Sequence, residues 1–339
     1  MKHVLFISFL VMSIILFSNN VKMIELDNSL SSLSGVKKIE TLLELSDISI
    51  QIDKNKSLNY AEQALNLSRE TKNSKYESEA FYKVGTLQYE LDRYELAISN
   101  LQNAFSIFEN DDQIKESAQS QNMLGNVYFS KGNNVEAFSY YKKALTKFTE
   151  INDKKNIAEV LNNLGTINYK LNKYVDALAF FQRSLSIEKE LQDFLGTATA
   201  LNDIGNIYGQ LNNFDEALSN FHLALAIFEK QNSQEGVAKC YCNIGNIYKI
   251  KKNYDKALDY CVRASDIREK MDNHIGLALS LNNIGDIYKI RDNADSIYLE
   301  ILPPQSFLVF LAQKGMEPDK WPKGFKKYLS TLPDMPKFL

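Results

Sequence analysis

Residues 201–249 read LNDIGNIYGQLNNFDEALSNFHLALAIFEKQNSQEGVAKCYCNIGNIYK, and two of their glycines, Gly205 and Gly245, stand forty positions apart inside the matching strings DIGNIYG and NIGNIYK. Outward from this stretch the same step finds Gly165, Gly125 and Gly85 on one side and Gly285 on the other, in NLGTINY, MLGNVYF, KVGTLQY and NIGDIYK. Alanine follows the first five of the six glycines by twelve residues, at Ala97, Ala137, Ala177, Ala217 and Ala257. It recurs nineteen residues after four of them, at Ala104, Ala144, Ala224 and Ala264, with Ser184 in the remaining place. A register held over this length is an internal repeat, and repeats are the signature of stacked architectures.

Within a unit the apolar period is helical. Leu161, Leu164 and Ile167 flank Gly165, and Tyr241, Ile244 and Tyr248 fall at i, i+3 and i+7 around Gly245. Tyr174, Ala177, Leu178, Phe181 and Leu185 form a second amphipathic stripe downstream. A short polar turn separates the two stripes: LNK, LNN or KKN. Each unit therefore reads as helix A, tight turn, helix B and a polar connection such as INDKKN. A glycine inside a helix costs about 1 kcal/mol against alanine. Its recurrence points to packing, with glycine on helix A expected to face alanine on helix B so that the backbones approach closely.

These motifs resemble the tetratricopeptide repeat family in a forty-residue form of bacterial exported type. The family's Leu-Gly-x-x-Tyr core is matched by Leu124-Gly125-Tyr128, Ile204-Gly205-Tyr208, Ile244-Gly245-Tyr248 and Ile284-Gly285-Tyr288. Its helix-B alanine and aromatic are matched by Ala137/Tyr141, Ala177/Phe181 and Ala217/Phe221. The resemblance covers residues 37–292, about six full repeats and a partial seventh. The first unit is degenerate, with Leu45 in the glycine place, although SLNYAEQALNLSRE still reads as a helix B. The resemblance implies an all-α, right-handed superhelical solenoid of antiparallel helix pairs, with A helices lining the concave side.

The resemblance also implies that the residues three before and one after each glycine face a partner-binding groove. These are Tyr82/Thr86, Asn122/Asn126, Asn162/Thr166, Asn202/Asn206, Cys242/Asn246 and Asn282/Asp286. Being four apart, both members of a pair share one helix face. An asparagine amide donates and accepts, so a ladder of them suits the main chain of an extended peptide. A bland reading stands beside this one: the amides keep a helix face wet, and the neighbouring Asn163, Asn243 and Asn283 serve inter-repeat hydrogen bonds. Four residues after the glycine the series runs Tyr89, Phe129, Tyr169, Gly209, Lys249 and Lys289. If it faces inward, one half of the groove is aromatic and the other basic; otherwise the aromatics only pack. The chain departs from the family's carboxylate clamp: Asn206 and Asn243 could supply amides, but Leu279 and Asn283 stand where basic residues are expected.

Composition narrows the rest. With 45% hydrophobic and 24% charged residues the chain is a folded one. A net charge of −3 with no long run of one sign argues against nucleic acid as a partner. Cys240, Cys242 and Cys261 suit neither a disulfide framework nor a zinc site and read as small packing residues. His3, His222 and His274 have no acid or nucleophile at a telling spacing, so no enzyme activity, metal, cofactor or small-molecule substrate is expected.

Lys2 and His3 precede an apolar run from Val4 to Phe17, short for a membrane span and fitting a signal peptide or N-terminal anchor over residues 1–20. Export to the periplasm or medium, or membrane anchoring through this segment if it stays uncleaved, is expected over a cytoplasmic location. Residues 293–339 break the register and hold all six prolines and Trp321. This segment reads as a cap, a partner-binding extension or a foreign end. The functional expectation is an interaction scaffold for a peptide or protein. The alternative is the input module of a bacterial signalling protein whose output domain, a kinase, cyclase or transcription regulator, is not in this chain.

Overall fold

The computed structural model describes residues 21–290, excepting the side chains of Tyr288 and Lys289. The expected leader and the Pro-rich segment 293–339 lie outside the described residues. After a first helical stretch over residues 21–29, thirteen helices follow. They are α1 (Gly35–Ser49), α2 (Lys54–Glu70), α3 (Ser74–Glu90), α4 (Tyr94–Asn110), α5 (Ile114–Ser130), α6 (Asn134–Glu150), α7 (Lys154–Lys170), α8 (Tyr174–Glu190), α9 (Phe194–Gln210), α10 (Phe214–Lys230), α11 (Gln234–Ile250), α12 (Tyr254–Lys270) and α13 (His274–Ile290). No strand occurs among the described residues. None of their helices is long and apolar enough to cross a membrane.

The forty-residue repeat is built from two structural half-steps of twenty. The second residue past each helix from α2 to α12 has positive φ: Lys72, Asp92, Asp112, Gly132, Asn152, Asn172, Gln192, Asn212, Asn232, Lys252 and Asp272. Asn and Asp hold most of these places because they tolerate the left-handed conformation best among residues with a side chain. At α9 the Asn212 N–H bonds Gly209 O at 3.1 Å and the Asn213 N–H bonds Tyr208 O at 2.9 Å. That 6→1 pattern closes the helix and turns the chain back in three residues. Consecutive helices must therefore run antiparallel.

The chain divides into two compact units between Ile167 and Asn168. In each, helices pack against the helix before and the helix after. Successive A helices also touch, α3 with α5 in the first unit and α9 with α11 and α11 with α13 in the second, which puts the A helices on the inside of the stack. Cores are shared between repeats. In the first unit Leu58, Leu65, Phe81, Leu87 and Phe108 belong to one buried cluster. In the second, Ala198, Leu201, Ala224, Phe228, Val237 and Cys240 bring α9, α10 and α11 together. A buried Phe contributes roughly 1.5–3 kcal/mol, and Phe228 gains this only with the next helix A in place. Exposed ion pairs step across repeats as well, such as Lys131–Glu95 at 2.5 Å and Lys251–Asp215 at 2.9 Å, each a minor contributor.

The repeated glycines do make close approaches, but mainly to a different partner from the expected alanine. A Cβ on Gly125 would lie 2.5 Å from the Tyr141 ring, on Gly205 2.6 Å from Phe221 Cε1, on Gly85 2.7 Å from Leu101 Cγ and on Gly245 2.8 Å from Cys261 Sγ. The partner is the residue sixteen positions on. At Gly245 the alanine of helix B also comes near, through Ala257 O at 3.2 Å. The glycine is thus a socket for one large helix-B side chain, while the alanines are fully buried beside it.

Candidate functional site

On the A helices the side chains three before, two before and one after the glycine cluster between neighbouring repeats. In the first unit they are consumed by one another. Asn122, 7% exposed, donates to Glu159 Oε1 at 2.7 Å, and its Oδ1 accepts from Asn163 Nδ2 at 3.3 Å. Asn126 Oδ1 accepts from the Tyr141 hydroxyl at 2.6 Å and from Asn163 at 3.4 Å. Asn162 is half-buried. In the second unit Asn202 is 8% exposed and its Oδ1 accepts from Asn243 Nδ2 at 2.8 Å. The residues two before the glycine, Asn163 and Asn243, are therefore inter-repeat ties, reaching back forty-one positions to the residue three before the previous glycine.

Other members of the ladder remain open. In the second unit α9, α11 and α13 enclose a cleft of about 350 Å³ lined by Asn202, Asn206, Asn246, Asn282, Asn283 and Cys242, with Lys239, Asn243, Leu279 and Arg268 completing it. Five of the expected groove-facing residues, Asn202, Asn206, Cys242, Asn246 and Asn282, thus meet at one place. Asn206 hydrogen-bonds Asp203, whose carboxyl burial pushes up to about 6. Among the described residues the Asn246 and Asn282 amides have no hydrogen-bond partner. They present donors and an acceptor each to whatever enters.

The remaining expected residues are placed elsewhere. Lys249 pairs with Asp286 at 3.9 Å, so the two offset one another. Tyr169 tilts against Tyr174, ring centroids 5.8 Å apart, and its hydroxyl accepts from Gln210 at 3.2 Å. Tyr89 behaves alike, against Tyr94 at 6.2 Å. The aromatics four after the glycine therefore fasten helix A to the start of helix B. The Lys289 side chain lies outside what is described.

The cleft's charge comes from a residue that motif reading did not single out. Arg268 on α12 is 5% exposed. It stands twenty-three positions after Gly245, where other repeats place the buried Phe108, Phe148 and Phe228. Its Nη1 donates to Ser280 Oγ at 2.9 Å, Gly276 O at 3.1 Å and Cys242 Sγ at 3.2 Å. Its Nη2 is 3.7 Å from Glu235, which Lys239 also approaches at 3.8 Å. Lys239 also faces the Asp203 carboxyl, so the two cations are set against two acidic groups. Room for the guanidinium comes from Gly276, where a Cβ would meet Arg268 Cδ and Nε at 2.9 Å. The other departure at this place is Glu188, which accepts from Ser184, the one residue interrupting the second alanine series, at 2.9 Å. Both substitutions interrupt otherwise regular series, and that irregularity was the available signal.

A family model described as "Tetratricopeptide repeat" matches residues 116–190, 196–270 and 236–297, more than half of the chain. The sequence matches no curated protein. Solved structures share the fold. The apo form of the quorum sensor NprR from B. thuringiensis is 17% identical, with a TM-score of 0.72 over 91% of this chain and 86% of that one. BtubC (BKLC) from P. vanneervenii is 22% identical, with a TM-score of 0.55 over 67% of this chain and 94% of that one. The Rap conjugation gene regulator of the plasmid pLS20, solved in complex with the Phr* peptide, is 18% identical, with a TM-score of 0.51 over 75% of this chain and 76% of that one.

Proposed function

Because the chain belongs to the tetratricopeptide repeat family, we propose that it is a non-catalytic interaction protein that takes an extended peptide, or an extended segment of a partner protein, into the cleft between α9, α11 and α13. The observation that carries this reading is the pair of open amides in one cleft, Asn246 one after the glycine of α11 and Asn282 three before the glycine of α13. The half-buried Asn246 amide, with no protein partner, is an incomplete hydrogen-bonding group, the exposed Asn282 amide offers a second contact in the same cleft, and a peptide main chain can use both without demanding particular side chains. The peptide complex of the Rap regulator supports the reading by analogy of fold. The apolar run Val4–Phe17 supports a role outside the cytoplasm, which N-terminal sequencing of the fractionated protein checks.

The experiment is selection of a random dodecapeptide display library against the full chain. Enriched peptides should bind the chain and lose most of their affinity to an Asn206→Ala/Asn246→Ala/Asn282→Ala variant that keeps its helical content. Failure to enrich any peptide above a background scaffold, or binding equal in the triple variant, overturns the proposal.

A further inference from the structure

Neighbouring A helices are tied together by side chains beside the glycine, and one seam lacks its ties. Between α5 and α7, Asn122 stands three before its glycine. It donates to Glu159, six before the next glycine, and accepts from Asn163, two before it. Between α9 and α11, Asn202 accepts from Asn243 in the same way. Between α11 and α13 the corresponding residues are Cys242, Leu279 and Asn283. The Cys242 sulfur is engaged by Arg268 Nη1 at 3.2 Å and lies 3.5 Å from Ser280 Oγ. Leu279 has no polar side-chain atom with which to replace Glu159. Among the described residues the half-buried Asn283 amide has no hydrogen-bond partner. With both ties missing, this seam stands open as the cleft of about 350 Å³.

Leu279 lines that opening and is 59% exposed. The same position carries Glu79, Gln119, Glu159, Thr199 and Lys239 on the other glycine-bearing A helices, so an aliphatic side chain occurs there only on α13. Open amides share its cleft: Asn246 on α11, and Asn282 and Asn283 on its own helix. The cations Arg268 and Lys239 are set against Glu235 and Asp203, so the site calls for no charged side chain to balance it. An aliphatic surface among unfilled amides matches a peptide main chain that carries a bulky apolar side chain. The amides take up main-chain N–H and C=O groups, and the side chain covers the leucine and removes its surface from water. We propose that Leu279 is a specificity-determining residue of the cleft, the seat for a bulky aliphatic or aromatic side chain of the bound peptide. This rests on the peptide-binding reading above and adds to it the side chain that the cleft selects.

The test selects two dodecapeptide display libraries against the full chain, one unrestricted and one built only from polar residues, glycine and alanine. The unrestricted library should enrich peptides that share one bulky apolar position, and the polar library should enrich none. Synthetic copies of the enriched peptides should bind Leu279→Ala roughly tenfold more weakly, through loss of a buried leucine contact. Leu279→Met should keep most of the affinity, and Leu279→Glu should abolish it. Because Leu279 is exposed, these variants should keep the parent's helical content and melting temperature. Changing the shared apolar residue of the peptide to Ala should weaken binding to the parent by about the same factor but change little against Leu279→Ala. Peptides that lose affinity in the Asn206→Ala/Asn246→Ala/Asn282→Ala variant yet bind Leu279→Glu as they bind the parent would overturn this inference and leave the peptide-binding reading standing. Equal enrichment from the polar library would do the same. Enrichment from neither library would overturn both.

Discussion

Asn243 on α11 donates its side-chain amide to Asn202 Oδ1 on α9 at 2.8 Å, joining two repeats through a nearly buried acceptor. Replacing Asn243 with Ala leaves Asn202 Oδ1 with only the distant Cys240 thiol at 3.8 Å. A loss of about 1–3 kcal/mol follows for an unsatisfied buried group. Asn243→Asp should cost more, because it turns a carboxylate toward that oxygen. Asn246→Ala and Asn282→Ala remove no intramolecular hydrogen bond and should stay within roughly 0.5 kcal/mol of the parent. Urea midpoints of the four variants give the comparison, and equal midpoints for Asn243→Ala and Asn246→Ala would refute the division of the ladder into ties and open amides.

Gly205→Ala should destabilise despite alanine's better helix propensity. The propensity gain is about 1 kcal/mol, while overpacking of this kind costs typically 1–3 kcal/mol, and the new methyl would stand 2.6 Å from Phe221 Cε1. Trimming the ring should relieve the clash, so Gly205→Ala/Phe221→Leu should be more stable than the two single effects predict by addition. Thermal unfolding of all four proteins measures the coupling. Strict additivity would mean that the glycine is not the ring's socket.

Gln192 and Lys252 end their helices with φ of 57° and 58°. Gly at either place should stabilise by about 0.5–1 kcal/mol, the relief of the left-handed backbone outweighing the greater freedom of glycine in the unfolded chain. Asn212→Gly should gain less, because Asn already tolerates that conformation. The order of melting temperatures is the check.

Asp203 sits among the repeat-joining side chains, at the position two before the glycine where Asn163, Asn243 and Asn283 stand in other repeats. Burial is the main reason its carboxyl titrates near 6 rather than near 3.8. Between those values the folded chain binds more protons than the unfolded one, so this group makes stability fall as pH rises through the window. Asp203→Asn should flatten that part of the stability–pH curve and raise stability at neutral pH. A variant whose curve keeps the parent's slope between those values would assign the slope to another group.

The repeat and the alternation of A and B helices were readable from spacing alone, because a period of forty with helical substructure leaves little freedom in how the chain is laid out. The tie between Asn202 and Asn243 was also foreseeable as a possibility, since both lie beside the glycine on adjacent A helices. Spacing could not tell which amides are spent. Asn122, Asn202 and Asn282 hold the same place three before their glycines, and only the closeness of Glu159, Asn163 and Asn243 separates the first two from the third. Nor could it tell that the glycine's partner is Phe221 rather than Ala217, because ring reach depends on the distance and angle between helix axes.

What the sequence determined by itself is the architecture: hydrophobic periodicity and recurring glycines are local and additive, and repetition multiplies their signal. What only the tertiary structure decided is the chemistry of the cleft. Arg268 is one irregular residue on helix B, distant along the chain from Gly276 and Ser280 and from Cys242. It acquires its role only when α11, α12 and α13 close around its guanidinium, since burial and charge pairing are properties of packed neighbours and have no counterpart in a linear pattern.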